Sequence, residues 1–442
     1  MAKQKKIQDY DRWYAFLRYY VDSVLKLSYS RIKQTGRERI PNDGAVIYAP
    51  NHTGTLMDAL VILASDKKPK VFVARADIFK NPKLAKVFRF CKIMPIMRMR
   101  DGFDEVKKNN KTIEQAVDVL KDKVPFCIFP EGTHQTKYSL QPISKGIFRI
   151  ALQAQALMPD MPLYIVPVGI RYGSFWRYRS TTHMQFGEPM KVSDFVEQNS
   201  DKTTPELMNI MRVELEERMK KTLLYIPNNE DYDATYEICA TVVKEKVKAL
   251  KATTEHKKLN VMDAQSIVNN NTVKQISELK AANPELAEKL ISLGNDAAKL
   301  RKEKNISLKS VVARHSALCN VFKFLLLLAT LPYTLAASIC VLPVNLLCNV
   351  IFKKFKDQAF RNSVRMLINL LLWPLLMIIY SVVAYICLPW QWALPFTLLL
   401  LPAPFIVHDA YKGARILVSD FKLCCNKQLK AIYKEIRDII LK

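Results

Sequence analysis

His52 and Asp58 stand six positions apart in the run Ala49-Pro50-Asn51-His52-Thr53-Gly54-Thr55-Leu56-Met57-Asp58. These two residue types suit a histidine general base whose second ring nitrogen is held by a carboxylate. Such a base takes a proton from an alcohol near neutral pH, while the carboxylate fixes the tautomer and steadies the imidazolium. A structural alternative stands beside this reading: a helix start with polar caps, in which Asp58 only complements the helix dipole. The elements that must place the pair are legible. Ala45-Val46-Ile47-Tyr48 is an apolar run bounded by Asp43-Gly44 and Pro50, the pattern of a buried strand, and Ala59 to Leu63 opens another apolar stretch.

A second stretch has the same construction. Val124 to Phe129 is a buried-strand pattern that ends in Pro130-Glu131-Gly132-Thr133-His134. Gly132 lets the backbone adopt a positive φ or come close to a ligand; the alternative is an ordinary turn with an acidic residue. No Gly-x-Ser-x-Gly turn is present for a serine nucleophile, and His and Asp have no further ligands near them for a metal. Direct attack of an alcohol, with no covalent enzyme intermediate and no metal, is the chemistry left.

With Asn51-His52 and Phe129-Pro130-Glu131-Gly132-Thr133, the chain resembles the glycerolipid acyltransferase family, which moves a fatty acyl group from a thioester to a glycerol phosphate. Ile93-Met94-Pro95-Ile96-Met97-Arg98 is similar to the block whose arginine binds the acceptor phosphate, and Val166-Pro167-Val168-Gly169-Ile170 resembles the fourth, hydrophobic block. The likeness covers roughly residues 40 to 225, and its four blocks fall in order. It implies that His52 and Asp58 are catalytic, and that Arg98, Glu131, Gly132, Thr133 and Lys145, which precedes Gly146 in a recurring pair, bind substrate. Arg98 offers a planar fork for two phosphate oxygens, or is a surface charge beside Arg100 and Asp101. Two departures matter. Five residues separate His52 from Asp58 where most members have four, a spacing that resembles the branch acting on glycerol 3-phosphate or dihydroxyacetone phosphate and the tafazzin-like transacylases. His134 stands where the family usually has arginine, with Lys145, Arg149 and Arg171 as candidates to complete the phosphate site.

Composition agrees with anionic partners. Across 442 residues Lys and Arg outnumber Asp and Glu 67 to 41, a formal net charge of +26. Such a surface suits nucleic acid, an anionic membrane or acidic substrates. An apolar C-terminal third favours the membrane, and no nucleic-acid motif is present. Nine cysteines show no metal-ligand spacing and no disulfide framework, which fits a reducing compartment. No clean apolar core follows Lys3, Lys5 and Lys6, so the start is not expected to be a signal peptide. The length implies two or more domains.

Taken in order, residues 1–40 carry an amphipathic helix (Trp13, Phe16, Leu17, Tyr20, Val21, Val24, Leu25) that either packs on the core or lies in a membrane interface. Residues 41–225 alternate strand and helix patterns, which predicts an α/β fold: a mostly parallel sheet flanked by helices, with the motifs at strand ends. Residues 226–315 predict a polar helical region without chemistry, in which a helix starts at Asn283-Pro284-Glu285 and stops near Gly294, and His256 and His315 are solvated. Residues 316–411 form the expected membrane region. Phe324 to Phe352 runs 29 residues and Met366 to Leu388 runs 23 without a charge, against roughly 20 needed for one span. A third apolar run ends at His408, and residues 412–442 make a basic amphipathic tail. Lys353, Lys354, Lys356, Arg361 and Arg365 place the loop between the first two apolar segments in the cytoplasm. The first segment is therefore expected to dip in and return, bending near Pro332 or Pro343, and the next two to form a hairpin turning at Trp390 and Trp392.

The expectation is an integral membrane O-acyltransferase with a cytoplasmic catalytic domain, in a bacterial inner membrane or the endoplasmic reticulum. It would act on glycerol 3-phosphate or dihydroxyacetone phosphate, with no cofactor beyond an acyl-CoA or acyl carrier protein thioester as co-substrate. Its partners would be a phospholipid membrane, that donor and the acceptor, with no nucleic acid. One rival uses lysophosphatidate; another, of a different class, is a membrane scaffold that keeps the fold without catalysing.

Overall fold

The computed structural model describes residues 6–97, 109–254, 256–355 and 357–441. The chain divides into two compact units, one formed by Met1–Leu223 with Ile351–Leu370 and the other by Leu224–Val350 with Leu371–Lys442.

Among the described residues, the first unit is built on eight strands: β1 (Arg31–Thr35), β2 (Ala45–Pro50), β3 (Val71–Arg75), β4 (Ile93–Ile96), β5 (Phe126–Cys127), β6 (Leu163–Tyr172), β7 (Thr181–Phe186) and β8 (Met190–Lys191). They lie in the order β1-β7-β6-β2-β5-β3-β4, with β8 beside β6. All described pairings are parallel except those of β6 with β7 and β8. The mostly parallel α/β sheet is therefore present. Helices α1 (Arg12–Ser28), α2 (Leu56–Leu63), α3 (Pro82–Phe90), α4 (Asn109–Lys121), α5 (Gly146–Ala156), α6 (Val192–Gln198) and α7 (Thr204–Thr222) accompany it.

Strand alternation explains the layers. Ala45, Ile47 and Ala49 of β2 face one core, shared with Val117 and Leu120 of α4, Phe148 and Ile150 of α5, and Met211 and Leu215 of α7. Val46 and Tyr48 face the other, shared with Leu25, Tyr29, Val61 and Ile62. That second core also takes Met366 and Leu370, so the stretch Ile351–Leu370, placed by sequence inside the membrane region, folds with the sheet.

One face of helix α1 packs on the second core, the first of its two expected roles. Leu25 is buried, and the Arg18 guanidinium donates to the carbonyls of Leu63, Lys67 and Lys68 beyond α2. Trp13, Phe16 and Tyr19 remain exposed.

The second unit contains α8 (Tyr232–Ala252), α9 (Val261–Ala282), α10 (Pro284–Glu303) and α11 (Leu308–Ala313), packed with α16 (Lys427–Ile440) around Ile238, Val242, Ile276, Leu290 and Ile436. Asn283 caps α10 by accepting from the Leu286 N–H. Gly294 does not end that helix. A Cβ there would come within 2.9 Å of the Ala234 carbonyl oxygen, so the glycine serves close helix packing instead. His315 is not simply solvated either: its Nδ1 lies 2.9 Å from Asp420 Oδ2.

Among the described residues, two helices are long and apolar enough to cross a membrane: α12 (Ala317–Lys354, 38 residues) and α13 (Phe360–Cys387, 28 residues). The pair α14 (Trp390–Leu400) and α15 (Ala403–Cys425), bent by 56°, makes a third if it counts as one span. The dip and return expected of the first segment is absent, because α12 runs unbroken through Pro332 and Pro343. A proline removes one ladder hydrogen bond, and small local adjustments in an apolar helix absorb that without a reversal.

Candidate active site

Parallel strands deliver their C-terminal ends to one edge of a sheet, and the motif residues follow β2 and β5 there. Asn51 secures the first of these ends. Its buried amide accepts from the Ile170 N–H at 2.6 Å and donates to the Ile170 carbonyl at 3.1 Å, which continues the β2–β6 ladder by side chain.

His52 comes next, and its Nδ1 lies 2.7 Å from Asp58 Oδ2. A carboxylate only accepts, so the proton sits on Nδ1 and the lone pair on Nε2. That nitrogen has no hydrogen-bond partner among the described residues, and the side chain is 20% exposed. Its ring is stacked on Phe129 at 4.4 Å. The imidazole is thus held from behind and open at the nitrogen that can take a proton.

Asp58 is completely buried. A carboxylate there must be matched by donors. Oδ2 also accepts from the N–H groups of Thr53 at 2.9 Å and Gly54 at 2.7 Å, and Oδ1 accepts from the Tyr172 hydroxyl at 2.7 Å. The two readings of Asp58 coexist: it sits in the first turn of α2, and the carboxylate that ties down the entering backbone also holds His52. Gly54 is required by crowding, since a Cβ would lie 2.8 Å from both Asp58 Oδ1 and Tyr172 Cε2. Thr55, with φ of 55°, is a non-glycine residue in the left-handed region. Strain of this kind is held by its surroundings, here a bond from its hydroxyl to Ser363 Oγ at 2.8 Å.

Glu131 is buried, and both its oxygens are engaged. Oε1 accepts from the His52 N–H at 2.8 Å and Oε2 from the Gln141 N–H at 2.9 Å. Burial pushes its carboxyl up to about 7, against the pull of those two donors. In this arrangement Glu131 ties the Pro130–Gly132 turn to the His52 backbone. Gly132 has φ of 64° with open space where a Cβ would be, and Thr133 donates its hydroxyl to Gln141 Oε1 at 2.8 Å.

Lys145 is exposed immediately before α5, whose approach is tied to this turn by the Ser144 N–H on the Pro130 carbonyl. Arg149 is exposed one turn later. Arg171 is buried in β6 and donates to His183 Nδ1 and Gln185 Oε1, so its charge is engaged on the sheet. Arg98 lies outside the described residues. His134 is edge-on to His52 at 5.6 Å, and its Nε2 is 2.7 Å from Asp357 Oδ2. Sequence reasoning missed Tyr172, Asp357 and Ser363. Tyr172 had one local signal, its place two residues past the fourth block at the end of β6; the other two had none.

Residues 31–171 match the model of the Acyltransferase family. Over 326 residues the chain is 24% identical to glycerol-3-phosphate O-acyltransferase 2 of Saccharomyces cerevisiae, spanning 69% of this chain and 42% of the yeast protein. Over 135 residues it is 25% identical to a chloroplastic 1-acyl-sn-glycerol-3-phosphate acyltransferase of Brassica napus, 30% of this chain and 37% of the other. The match thus covers less than half the length of either relative. Among solved structures, the 1-acyl-sn-glycerophosphate acyltransferase of Thermotoga maritima aligns over 47% of this chain and 83% of its own, with 20% identity and a TM-score of 0.33. The family match takes in both the His52 and the Glu131 motifs, so residues 31–171 carry an Acyltransferase family-model domain.

Proposed function

We propose that the protein is a membrane-bound O-acyltransferase that moves a fatty acyl group from an acyl-CoA or acyl carrier protein thioester to glycerol 3-phosphate or dihydroxyacetone phosphate. The observation that carries this reading is the buried Asp58 carboxylate on His52 Nδ1, which leaves Nε2 as the proton acceptor. The acceptor hydroxyl attacks the thioester carbonyl as its proton passes to Nε2. The tetrahedral adduct collapses, the C–S bond breaks, and the imidazolium returns the proton to the leaving thiolate. Products are an ester and a free thiol, and the base is regenerated. Arg98 is assigned to the acceptor phosphate, with Gly132, Thr133 and Lys145 lining the acceptor side. The unbroken His52–Asp58 pair argues against a scaffold that has lost catalysis.

The acceptor is the finer question. The yeast relative named for glycerol 3-phosphate aligns over more of this chain than the Brassica relative named for the monoacylated acceptor, and the His52–Asp58 spacing points the same way. Lysophosphatidate is the second reading. Purified protein in detergent, given acyl-CoA and each acceptor in turn with product identification, separates them. Acylation of lysophosphatidate alone would overturn the first choice. His52→Ala should lower kcat by ~100- to 10,000-fold with the thermal unfolding midpoint retained; near-normal turnover by the folded variant would remove the mechanism.

A further inference from the structure

A second imidazole stands beside the catalytic one. His134 is edge-on to His52, with ring centroids 5.6 Å apart, and its Nε2 lies 2.7 Å from Asp357 Oδ2. The carboxylate can only accept, so Nε2 carries the proton and the neutral ring keeps a lone pair on Nδ1. That nitrogen has no hydrogen-bond partner among the described residues, and the side chain is 24% exposed. His134 thus repeats the construction of His52: one ring nitrogen fixed by an aspartate, the other open.

The surroundings hold the second ring in place. Asp357 Oδ1 accepts from the Ala359 N–H at 2.8 Å, which anchors the carboxylate just ahead of α13. Phe360, at the start of that helix, is edge-on to His134 at 5.2 Å. From the other direction, the Gln135 N–H donates to the His52 carbonyl at 3.1 Å, so the backbone next to His134 is tied to the base itself. Phe129, His52, His134 and Phe360 form a row of neighbouring rings with the two imidazoles in the middle.

Charge limits what His134 can do there. Asp58 is wholly buried, whereas the Asp357 side chain is 46% exposed and its field is screened by water, so the stronger base remains His52. An anion on His134 would face the Asp357 carboxylate across a single ring, a like-charge pairing that a neutral partner avoids. A hydroxyl donating to Nδ1 suits the site. An acceptor with two adjacent hydroxyls supplies it: one gives its proton to His52 Nε2 as it attacks, and the other donates to His134 Nδ1. Glycerol 3-phosphate has that pair. Dihydroxyacetone phosphate carries a carbonyl in place of the second hydroxyl, and lysophosphatidate has an ester there, so neither offers the donor.

We propose that His134, held by Asp357, determines acceptor specificity by accepting a hydrogen bond from the hydroxyl next to the one acylated, and so selects glycerol 3-phosphate. This role rests on the acyl-transfer reading and deepens it.

The test is steady-state kinetics of the full-length protein in detergent with acyl-CoA as donor, beside thermal unfolding. Glycerol 3-phosphate is compared with 3-hydroxypropyl phosphate, which keeps the phosphate and the primary hydroxyl but lacks the second one. In the unaltered enzyme kcat/KM should favour glycerol 3-phosphate by ~3- to 10-fold, the size of one neutral hydrogen bond. His134→Ala should abolish that preference, lowering kcat/KM for glycerol 3-phosphate by the same factor more than for the analogue. Asp357→Asn should shrink the preference by about 2- to 5-fold, because the ring loses its charged anchor. If His134→Ala unfolds, Asp357→Asn at its half-exposed position carries the comparison. Equal losses on both acceptors, or a preference that survives in the folded variants, overturn the role of His134. So does an active unaltered enzyme with no preference between the two acceptors, or one that acylates lysophosphatidate alone. Absence of turnover with every acceptor removes the acyl-transfer reading instead, and the role of His134 with it.

Discussion

Replacing Asp58 by asparagine isolates the charge of the dyad, and the structure says why. Elsewhere such a change risks turning an amide N–H toward the imidazole. Here Oδ2 receives three donors, from His52, Thr53 and Gly54, while Oδ1 receives only the Tyr172 hydroxyl. An asparagine therefore places its oxygen where Oδ2 stood and its NH2 toward Tyr172, whose hydroxyl rotates to accept. The His52 tautomer survives and only the negative charge is lost. Two magnitudes bracket the cost. Replacing a charge-assisted hydrogen bond by a neutral one loses ~1–2 kcal/mol, and a unit charge ~4 Å from the developing imidazolium is worth ~4 kcal/mol at an effective dielectric of 20. A loss of ~2–4 kcal/mol lowers kcat by roughly 30- to 1000-fold. The assay is thiol release from acyl-CoA with saturating acceptor, together with the unfolding midpoint. Asp58→Ala, which orphans all four donors in a dry site, should unfold more readily than Asp58→Asn. A folded Asp58→Asn enzyme within threefold of the original kcat would refute the carboxylate's catalytic part.

Further predictions concern the acceptor, the buried acid and the membrane. Arg98→Ala should raise the acceptor KM by roughly 10- to 100-fold and leave the donor KM within twofold; a change confined to the donor would move Arg98 to the donor site. Glu131 is protonated more readily folded than unfolded, since its carboxyl is raised to about 7. Its contribution to stability is full below about pH 4.5 and is lost as pH rises through about 7, at most ~3 kcal/mol. Unfolding midpoints from pH 5 to 7.5 should therefore fall less steeply in Glu131→Gln than in the original, and parallel slopes would refute this. Ile351–Leu370 folds with the acyltransferase unit, so cysteine at position 354 in intact membranes should be labelled only from the catalytic side, and Gln391→Cys only from the opposite one. Labelling of position 354 from the far side would overturn that topology.

By itself, the sequence determined what is encoded locally. Apolar runs bounded by turn residues marked β2 and β5, and the helix start at Asn283-Pro284-Glu285 marked α10, because burial on both faces of a parallel strand and helix capping leave traces within a few residues. The dyad was legible for the same reason: His52 and Asp58 lie within one loop and one helical turn. β1 and β7 were not. Arg31–Thr35 and Thr181–Phe186 are largely polar, lacking the continuous apolar run of an inner strand, and pairing alone makes them strands. Gly294 was misread because a glycine that stops a helix and one that admits a neighbour look alike until Ala234 is in place. Pro332 and Pro343 were misread as points of return because sequence shows the missing N–H groups but not whether the helix continues past them. Tertiary structure alone decided how Asp58 is held and what confronts His134. Tyr172 reaches the carboxylate across 114 positions, Ser363 meets Thr55 across 308, and Asp357 meets His134 across 223. Tyr172 and Ser363 are specified by the geometry of a buried site, where every donor must find its acceptor through space, and no periodicity along the chain records such a match.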